Sequence, residues 1–139
     1  MTDEIRVKLT IASNTLSAKE VSALLGIEAD SSQILGEMNR LGTKPYPQHA
    51  WVLKEKYEVN STETMDQLEM CLSKFLARVG SASSIIRNLS IQHLVEVGIY
   101  VFAREVPAIF LSKGQVEAIA ALGASVDVDV VLYNDTSHE

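Results

Sequence analysis

Alternation of apolar and polar residues with a period of two is the feature that most constrains the fold of this chain. It is clearest near the start, where one side of a segment carries Ile5, Val7, Leu9 and Ile11 and the other side carries Arg6, Lys8 and Thr10. Such alternation is typical of a strand that buries one face and exposes the other. The pattern predicts four strands, near residues 4–12, 50–59, 94–104 and 125–133.

Two short helices are predicted after the first and third strands because each segment begins with a capping box. Ser17 is followed three residues later by Glu20, and Ser112 is followed by Gln115. In this motif the hydroxyl accepts a hydrogen bond from a backbone N–H, and the longer side chain reaches back to the start of the helix. A glycine then ends each helix.

A longer apolar stripe predicts a helical insert over about residues 61–89. Apolar side chains recur at three- and four-residue steps, which is the spacing of one helix face: Met65, Leu68, Cys71, Leu72, Phe75, Leu76 and Val79. Gly80 interrupts the stripe, and a second, shorter helix is predicted after it.

The element order is β-α-β, a helical insert, and β-α-β again. The two halves, about 4–59 and 94–133, are alike around their capping boxes, which favours a structural repeat. We expect a single α+β domain over residues 1–139 with a ferredoxin-like split βαβ plan, in which helices replace the central hairpin. That plan has a four-stranded antiparallel sheet in the order 4-1-3-2, so the first strand pairs with the third and the fourth.

The balance of charges argues against several classes of partner. The chain has 18 acidic and 12 basic residues, a formal net charge of −6. Nucleic-acid binding depends on Lys and Arg contacts to phosphates, so no nucleic-acid partner is expected. Without a polybasic patch or an apolar run of about 20 residues, no membrane association is expected either. A basic protein partner is compatible with the charge, as is solubility alone.

Residue types that carry catalytic or metal chemistry occur here without their usual spacing. Cys71 lies in the apolar stripe, where a cysteine is usually a small core residue. His49, His93 and His138 lack the paired spacing of zinc ligands, and the glycines form no phosphate-binding loop. We expect a non-enzymatic protein without metal or cofactor. The single cysteine and the acidic N-terminus favour a cytoplasmic location.

The sheet face away from the helices is the strongest candidate for a binding surface. The expected strand order places Arg6 and Lys8 on the first strand directly beside Asp127 and Asp129 on the fourth. Cross-strand charge pairs of this kind contribute up to about 1 kcal/mol each. Paired carboxylates can also perform acid–base chemistry when burial separates their pKa values, which is the alternative interpretation.

Aromatic residues concentrate on the same face. Tyr100 and Phe102 lie on the third strand and Tyr133 follows on the fourth, and Trp51 and Tyr57 join them if their row of the second strand faces that side. RNA-binding folds surround such aromatics with basic residues, whereas acids are present here. Aromatics rimmed by charges are typical of a protein interface or a small-ligand site. Alternatively, the long helix covers this face and makes it a second core layer.

The order of short motifs resembles a bacterial family known as domain of unknown function 4279. The resemblance rests on Leu24-Leu25-Gly26-Ile27, the loop at Gly36, Trp51 at the start of a strand, the long central helix, and Leu122-Gly123-Ala124 leading into the last strand. It covers nearly the full chain. It implies a compact bacterial domain and assigns no catalytic residue.

Three functional hypotheses follow. The first is a non-enzymatic protein-binding domain, for instance a small inhibitor or immunity-type protein that neutralises a partner by covering it. The second is a small-molecule-sensing domain that binds a ligand at the sheet face or at a homodimer interface. The third, an enzyme that uses Asp127 and Asp129, has the least support in the sequence.

Overall fold

A five-stranded sheet organises the part of the chain that the computed structural model describes, residues 2–60 and 64–133. The strands are β1 (Thr2–Ser13), β2 (Ser31–Gln33), β3 (His49–Asn60), β4 (Leu94–Ala103) and β5 (Ser125–Leu132). The helices are α1 (Ala18–Leu25), α2 (Thr64–Val79), α3 (Ser83–Leu89) and α4 (Lys113–Ala121), with a 3₁₀ turn (Gly80–Ala82) between α2 and α3. The predicted start of the long helix at residues 61–63 lies outside the described residues.

The strand order is β2-β3-β1-β4-β5. β1 is antiparallel to both β3 and β4, and β4 is parallel to β5. All four predicted strands are present, and the first predicted strand (β1) pairs with the third (β4) as expected. The four-stranded antiparallel ferredoxin-like plan is not confirmed. The order 4-1-3-2 is wrong, because the last strand pairs with β4 and not with β1. A helix-containing crossover joins neighbouring parallel strands, and α4 makes this connection between β4 and β5.

The fifth strand, β2, was not predicted. Its three residues pair with Val52, Trp51 and Ala50 at the start of β3. The segment reads Ser31-Ser32-Gln33 and is polar throughout. It is too short for an alternation to be recognised, so only tertiary pairing reveals it.

One face of the sheet, called here the inner face, packs against the helices. Its row on β1 consists of Ile5, Val7, Leu9 and Ile11, each at most 1% exposed. Leu68, Leu72 and Phe75 of α2 are fully buried in the same cluster. From Leu68 to Val79 the apolar stripe of the long helix is therefore confirmed as a core element, and the helix covers the inner face. The side chain of Met65, the first residue of the predicted stripe, lies outside the described part of the chain.

Both predicted capping boxes are present, and the second also fastens two helices together. Ser112 accepts from the Gln115 N–H, and the Ser112 N–H donates to Gln115 Oε1 at 3.1 Å. Gln115 is 3% exposed, and its Nε2 donates to the Glu69 backbone carbonyl at 2.8 Å and to Ser73 Oγ at 2.9 Å, both on α2. Glu20, which has the equivalent place in α1, is exposed.

This difference predicts unequal costs for two matched substitutions. Gln115→Ala should lower the free energy of unfolding by about 2–3 kcal/mol, because it removes the capping contact and also the two hydrogen bonds to α2, of about 1 kcal/mol each. Glu20→Ala should cost about 0.5 kcal/mol, because it removes only a solvent-exposed capping contact. Urea denaturation measures both values. Equal costs would show that Gln115 does not tie α4 to α2.

The packing of α2 predicts a larger effect at Phe75. Phe75→Ala should lower the free energy of unfolding by about 3–5 kcal/mol, since it removes a fully buried ring and leaves a cavity. Lys74→Ala, at an exposed neighbouring position on the same helix, should change it by less than about 0.5 kcal/mol. Similar denaturation midpoints for the two variants would mean that α2 is packed differently.

Candidate functional site

The sheet face opposite the helices, called here the outer face, carries four columns of side chains, one along each of β3, β1, β4 and β5. Directly paired residues of neighbouring strands point to the same side, so the register determines which side chains are neighbours. From β3 to β5 the columns are Lys54, Lys56 and Glu58; Lys8, Arg6 and Glu4; Gly98, Tyr100 and Phe102; and Asp127, Asp129 and Val131.

The long helix does not cover this face. Its buried residues pack against the inner row of β1, while Tyr100 and Phe102 are only half-buried and Asp127 and Asp129 are exposed. The alternative in which this face forms a second core layer is therefore wrong. The side chains named in the four columns are at least partly exposed within the described part of the chain.

The acidic and basic residues share the face, as predicted, but they are not neighbours. Arg6 pairs with Tyr100, and Tyr100 pairs with Asp129 on its other side. Lys8 is separated from Asp127 by Gly98 in the same way. The predicted contact between the two charge types is wrong because β4 lies between β1 and β5, which separates their backbones by about 10 Å.

The cations of β1 instead stack on the aromatic rings of β4. The Arg6 guanidinium lies 4.6 Å from the centroid of the Phe102 ring, and the Lys8 ammonium lies 5.3 Å from that of Tyr100. Such contacts contribute about 0.5–1 kcal/mol at exposed sites. Glu4 forms ion pairs with Arg6 and with Lys56, the latter at 3.2 Å. The central part of the face is thus ordered by its own side chains.

Gly98 determines where the Tyr100 ring lies. A Cβ atom at position 98 would come within 2.8 Å of Tyr100 Cε2 and 2.9 Å of its hydroxyl oxygen. The ring therefore occupies the space above the backbone that any other residue would fill. Burial, together with the negative charges of Asp127, Glu96 and Asp129, raises the pKa of the Tyr100 hydroxyl. The phenol stays neutral and able to donate a hydrogen bond.

Asp127 and Asp129 form an acidic pair at the edge of the sheet, and within residues 2–60 and 64–133 neither has an ion-pair partner. Their side chains stand two residues apart on the same side of β5. The negative charge of Asp127 is the main cause that raises the pKa of Asp129, with desolvation and a hydrogen bond between the two carboxyl groups adding to it. A positive group placed here would relieve this repulsion.

Trp51 and Tyr57 do not belong to the outer face. Trp51 is 0% exposed on the inner face, and its Nε1–H donates to Ser22 Oγ on α1 at 3.0 Å. Tyr57 pairs with Ile5 and packs against the core, and burial is the main cause that raises its pKa. The expectation that they join the aromatic column is wrong. Core burial selects the row of β3 that contains Trp51, which leaves Lys54 and Lys56 outside.

Tyr133 does reach one end of the outer face. Its N–H donates to the Ala103 carbonyl at 3.0 Å, and its hydroxyl lies 3.5 Å from Asp3 Oδ1. A pocket of about 270 Å³ opens there, lined by Asp3, Glu4, Arg6, Glu58, Phe102 and Tyr133. Tyr133 therefore extends the aromatic surface beyond Phe102.

Sequence reasoning missed Glu4, Lys54, Lys56 and Glu58 as members of this surface, and it missed the role of Gly98. The charged alternation of β3 was a usable signal, since a row with three charged residues belongs outside a core. No sequence pattern indicates the role of Gly98, because that role depends on the orientation of the Tyr100 ring.

The described residues contain neither a metal-binding cluster nor an activated cysteine. Among residues 2–60 and 64–133, no three His, Cys, Asp or Glu side chains are placed to hold a metal ion. Burial raises the pKa of the Cys71 thiol, which keeps it protonated. None of the helices in these two ranges has the length and apolar content to span a membrane.

The acidic pair predicts a specific change in titration. Asp127→Asn should lower the pKa of Asp129 toward the ordinary range of an exposed aspartate, because the neighbouring negative charge is its main perturbation. Glu117→Gln on α4 is the matched control and should leave that pKa unchanged. NMR titration of the side-chain carboxyl carbons measures both. An unchanged Asp129 pKa in Asp127→Asn would show that the two groups do not interact.

Comparison with known proteins places the chain in a family. No curated protein and no solved structure matches it. The family model described as Domain of unknown function (DUF4279) matches residues 3–133, from the second residue of β1 to the residue after β5. The chain therefore belongs to the family of domain of unknown function DUF4279.

Proposed function

We propose that this protein is a non-enzymatic binding domain that docks a protein partner on the outer face of its sheet. The observation that carries the proposal is the column of Tyr100 and Phe102, half-exposed on an uncovered sheet between a basic and an acidic border. Aromatic side chains are enriched among the residues that dominate binding energy at protein interfaces.

The shape of the face favours a macromolecule over a small ligand. Four strands of eight residues span roughly 19 by 26 Å, an area suited to contact with another protein. The pocket beside Phe102 has about 270 Å³, slightly below the volume of about 300–1,000 Å³ that is usual for small-molecule sites. Small-molecule sensing is the second candidate, and this pocket is the feature that favours it.

The charges of the outer face support a partner of complementary charge. The β3 and β1 columns contribute Lys54, Lys56, Arg6 and Lys8 against two glutamates, whereas β5 contributes two aspartates. A complementary partner presents basic groups to Asp127 and Asp129 and acidic groups to the opposite border. Such complementarity accelerates association and selects the orientation more than it adds affinity.

A nucleic acid fits this pattern poorly. Its phosphates would be attracted by the β3 side and repelled by the aspartates on β5. An inhibitor or immunity-type domain neutralises its partner by covering it, and so it needs no catalytic group of its own. The proposal therefore needs only the outer face and a stable sheet behind it.

Truncation of the aromatic column should abolish binding without unfolding the domain. We expect immobilised protein to retain at least one protein from a host-cell lysate that the Tyr100→Ala/Phe102→Ala variant loses. Ile91→Ala is the control, since Ile91 is an exposed apolar residue in the loop before β4. Calorimetry with that protein should then show that Tyr100→Ala weakens binding by about 2 kcal/mol, or roughly thirtyfold.

Gly98→Ala is a second variant that keeps the tyrosine but displaces its ring. The added methyl group would occupy the space of the Tyr100 ring, so affinity should fall while the tyrosine is still present. The proposal fails if the double variant retains the same proteins as the unaltered protein, or if the control loses them as well.

A further inference from the structure

In the described part of the chain, β5 is an edge strand with one free edge and exposed residues on both faces. It lies at one end of the sheet order, and within residues 2–60 and 64–133 it pairs only with β4. All eight of its residues are exposed. Edge strands usually carry a device that blocks pairing with another chain, because their unpaired backbone groups are a template for it.

One hydrogen bond identifies which backbone groups face the free edge. The Tyr133 N–H donates to the Ala103 carbonyl, so residue 133 directs its peptide groups toward β4. Peptide groups alternate in direction along a strand, so residues 127, 129 and 131 do the same. The N–H and C=O groups that point to the free edge therefore belong to Val126, Val128, Val130 and Leu132.

The side chains of the same four residues form an incomplete apolar row. They continue the inner face, where the equivalent row of β1 is fully buried, yet Val126, Val128, Val130 and Leu132 are 40%, 37%, 38% and 52% exposed. The opposite side of β5 carries Asp127 and Asp129. The strand thus combines free hydrogen-bonding groups, an uncovered apolar row and an uncompensated acidic row.

We infer that β5 accepts an extended segment of the protein partner as a sixth strand, and that this segment alternates basic and apolar residues. Backbone hydrogen bonds to the free edge would supply affinity, as in other cases of strand addition. The segment's apolar residues would extend the row of Val126, Val128 and Val130, and its basic residues would lie beside Asp127 and Asp129. The inference rests on the proposed function, since it names how a protein partner is held.

Charge distinguishes this occupant from a second copy of the chain. Antiparallel pairing of two β5 strands centred on Val128 would place Asp127 of one copy opposite Asp129 of the other. Directly opposed like charges are destabilising, and each pair is already repulsive within one chain. A basic–apolar segment replaces that repulsion with attraction while it keeps the same backbone pairing.

Short labelled peptides test this inference directly. A peptide of alternating Lys and Val should bind the intact protein, as measured by fluorescence anisotropy, and a peptide of alternating Glu and Val should not. Hydrogen exchange should slow at the amides of Val126, Val128 and Val130 when the Lys–Val peptide is bound. Asp127→Asn/Asp129→Asn should weaken binding by about tenfold or more, with a smaller difference in high salt.

Val128→Pro and Val128→Thr separate backbone pairing from general attraction. Proline removes an N–H that points away from β4, which an edge strand tolerates, so the fold should be retained and peptide affinity should fall by about tenfold or more. Threonine keeps the N–H and should stay within about threefold of the unaltered protein. Circular dichroism and a urea midpoint verify that both variants are folded.

The outcomes also separate this inference from the proposed function. It is overturned if the Lys–Val peptide fails to bind at about 1 mM, if Val128→Pro binds it normally, or if the edge amides are not protected. A dimer of the unaltered protein protected at the same amides would assign the edge to a second copy and also overturn it. If lysate capture depends on Tyr100 and Phe102 but not on Val128→Pro, the proposed function stands without the edge strand.

Discussion

β1 hydrogen-bonds to a neighbouring strand along both of its edges, and the rest of the structure depends on this double pairing. It pairs with β3 from Thr2 to Ser13 and with β4 from Glu4 to Ala12. Its inner row is almost completely removed from solvent, so a shift of one residue would expose four core side chains and bury Arg6 and Lys8. The register is therefore strongly specified, and it sets the neighbours of every side chain on the outer face.

The position of β4 follows from that arrangement and determines the electrostatics of the face. Because β4 separates β1 from β5, the cations cannot neutralise the aspartates and stack on Phe102 and Tyr100 instead. The acidic pair keeps a mutual repulsion that raises the pKa of Asp129. If β1 and β5 were in direct contact, the cations of β1 would neutralise the aspartates of β5. The separation of charge on which the proposed docking surface depends would then be absent.

The sequence was informative wherever a local pattern determines a local structure. Alternation located β1, β3, β4 and β5, and the serine–glutamate and serine–glutamine pairs located the starts of α1 and α4. Strand order was not accessible in this way, because alternation specifies which face is buried and not which strand is adjacent. The place of β5 was predicted from a fold analogy, and that analogy gave the wrong neighbour.

In the candidate site, too, the positions set by alternation within one strand were predicted, and those set by contacts between elements were not. Tyr100, Phe102, Asp127 and Asp129 share the outer face as expected, because each position follows from period two on its own strand. Trp51 and Tyr57 were misplaced because the row of β3 that faces the core is selected by contacts with α1 and the interior. Lys54 and Lys56 were missed although the three charged residues of their row on β3 indicate an exposed position.

The strand order is the claim on which the separation of charges, the aromatic column and the free edge all depend. Backbone nuclear Overhauser effects on isotope-labelled protein test it most directly, since backbone protons of facing residues lie within about 5 Å and those two strands apart lie about 10 Å apart. The structure predicts cross-peaks that connect Arg6 with Tyr100 and Tyr100 with Asp129, and none between Arg6 and Asp129. Direct cross-peaks between Arg6 and Asp129 would place β5 beside β1 and contradict the account.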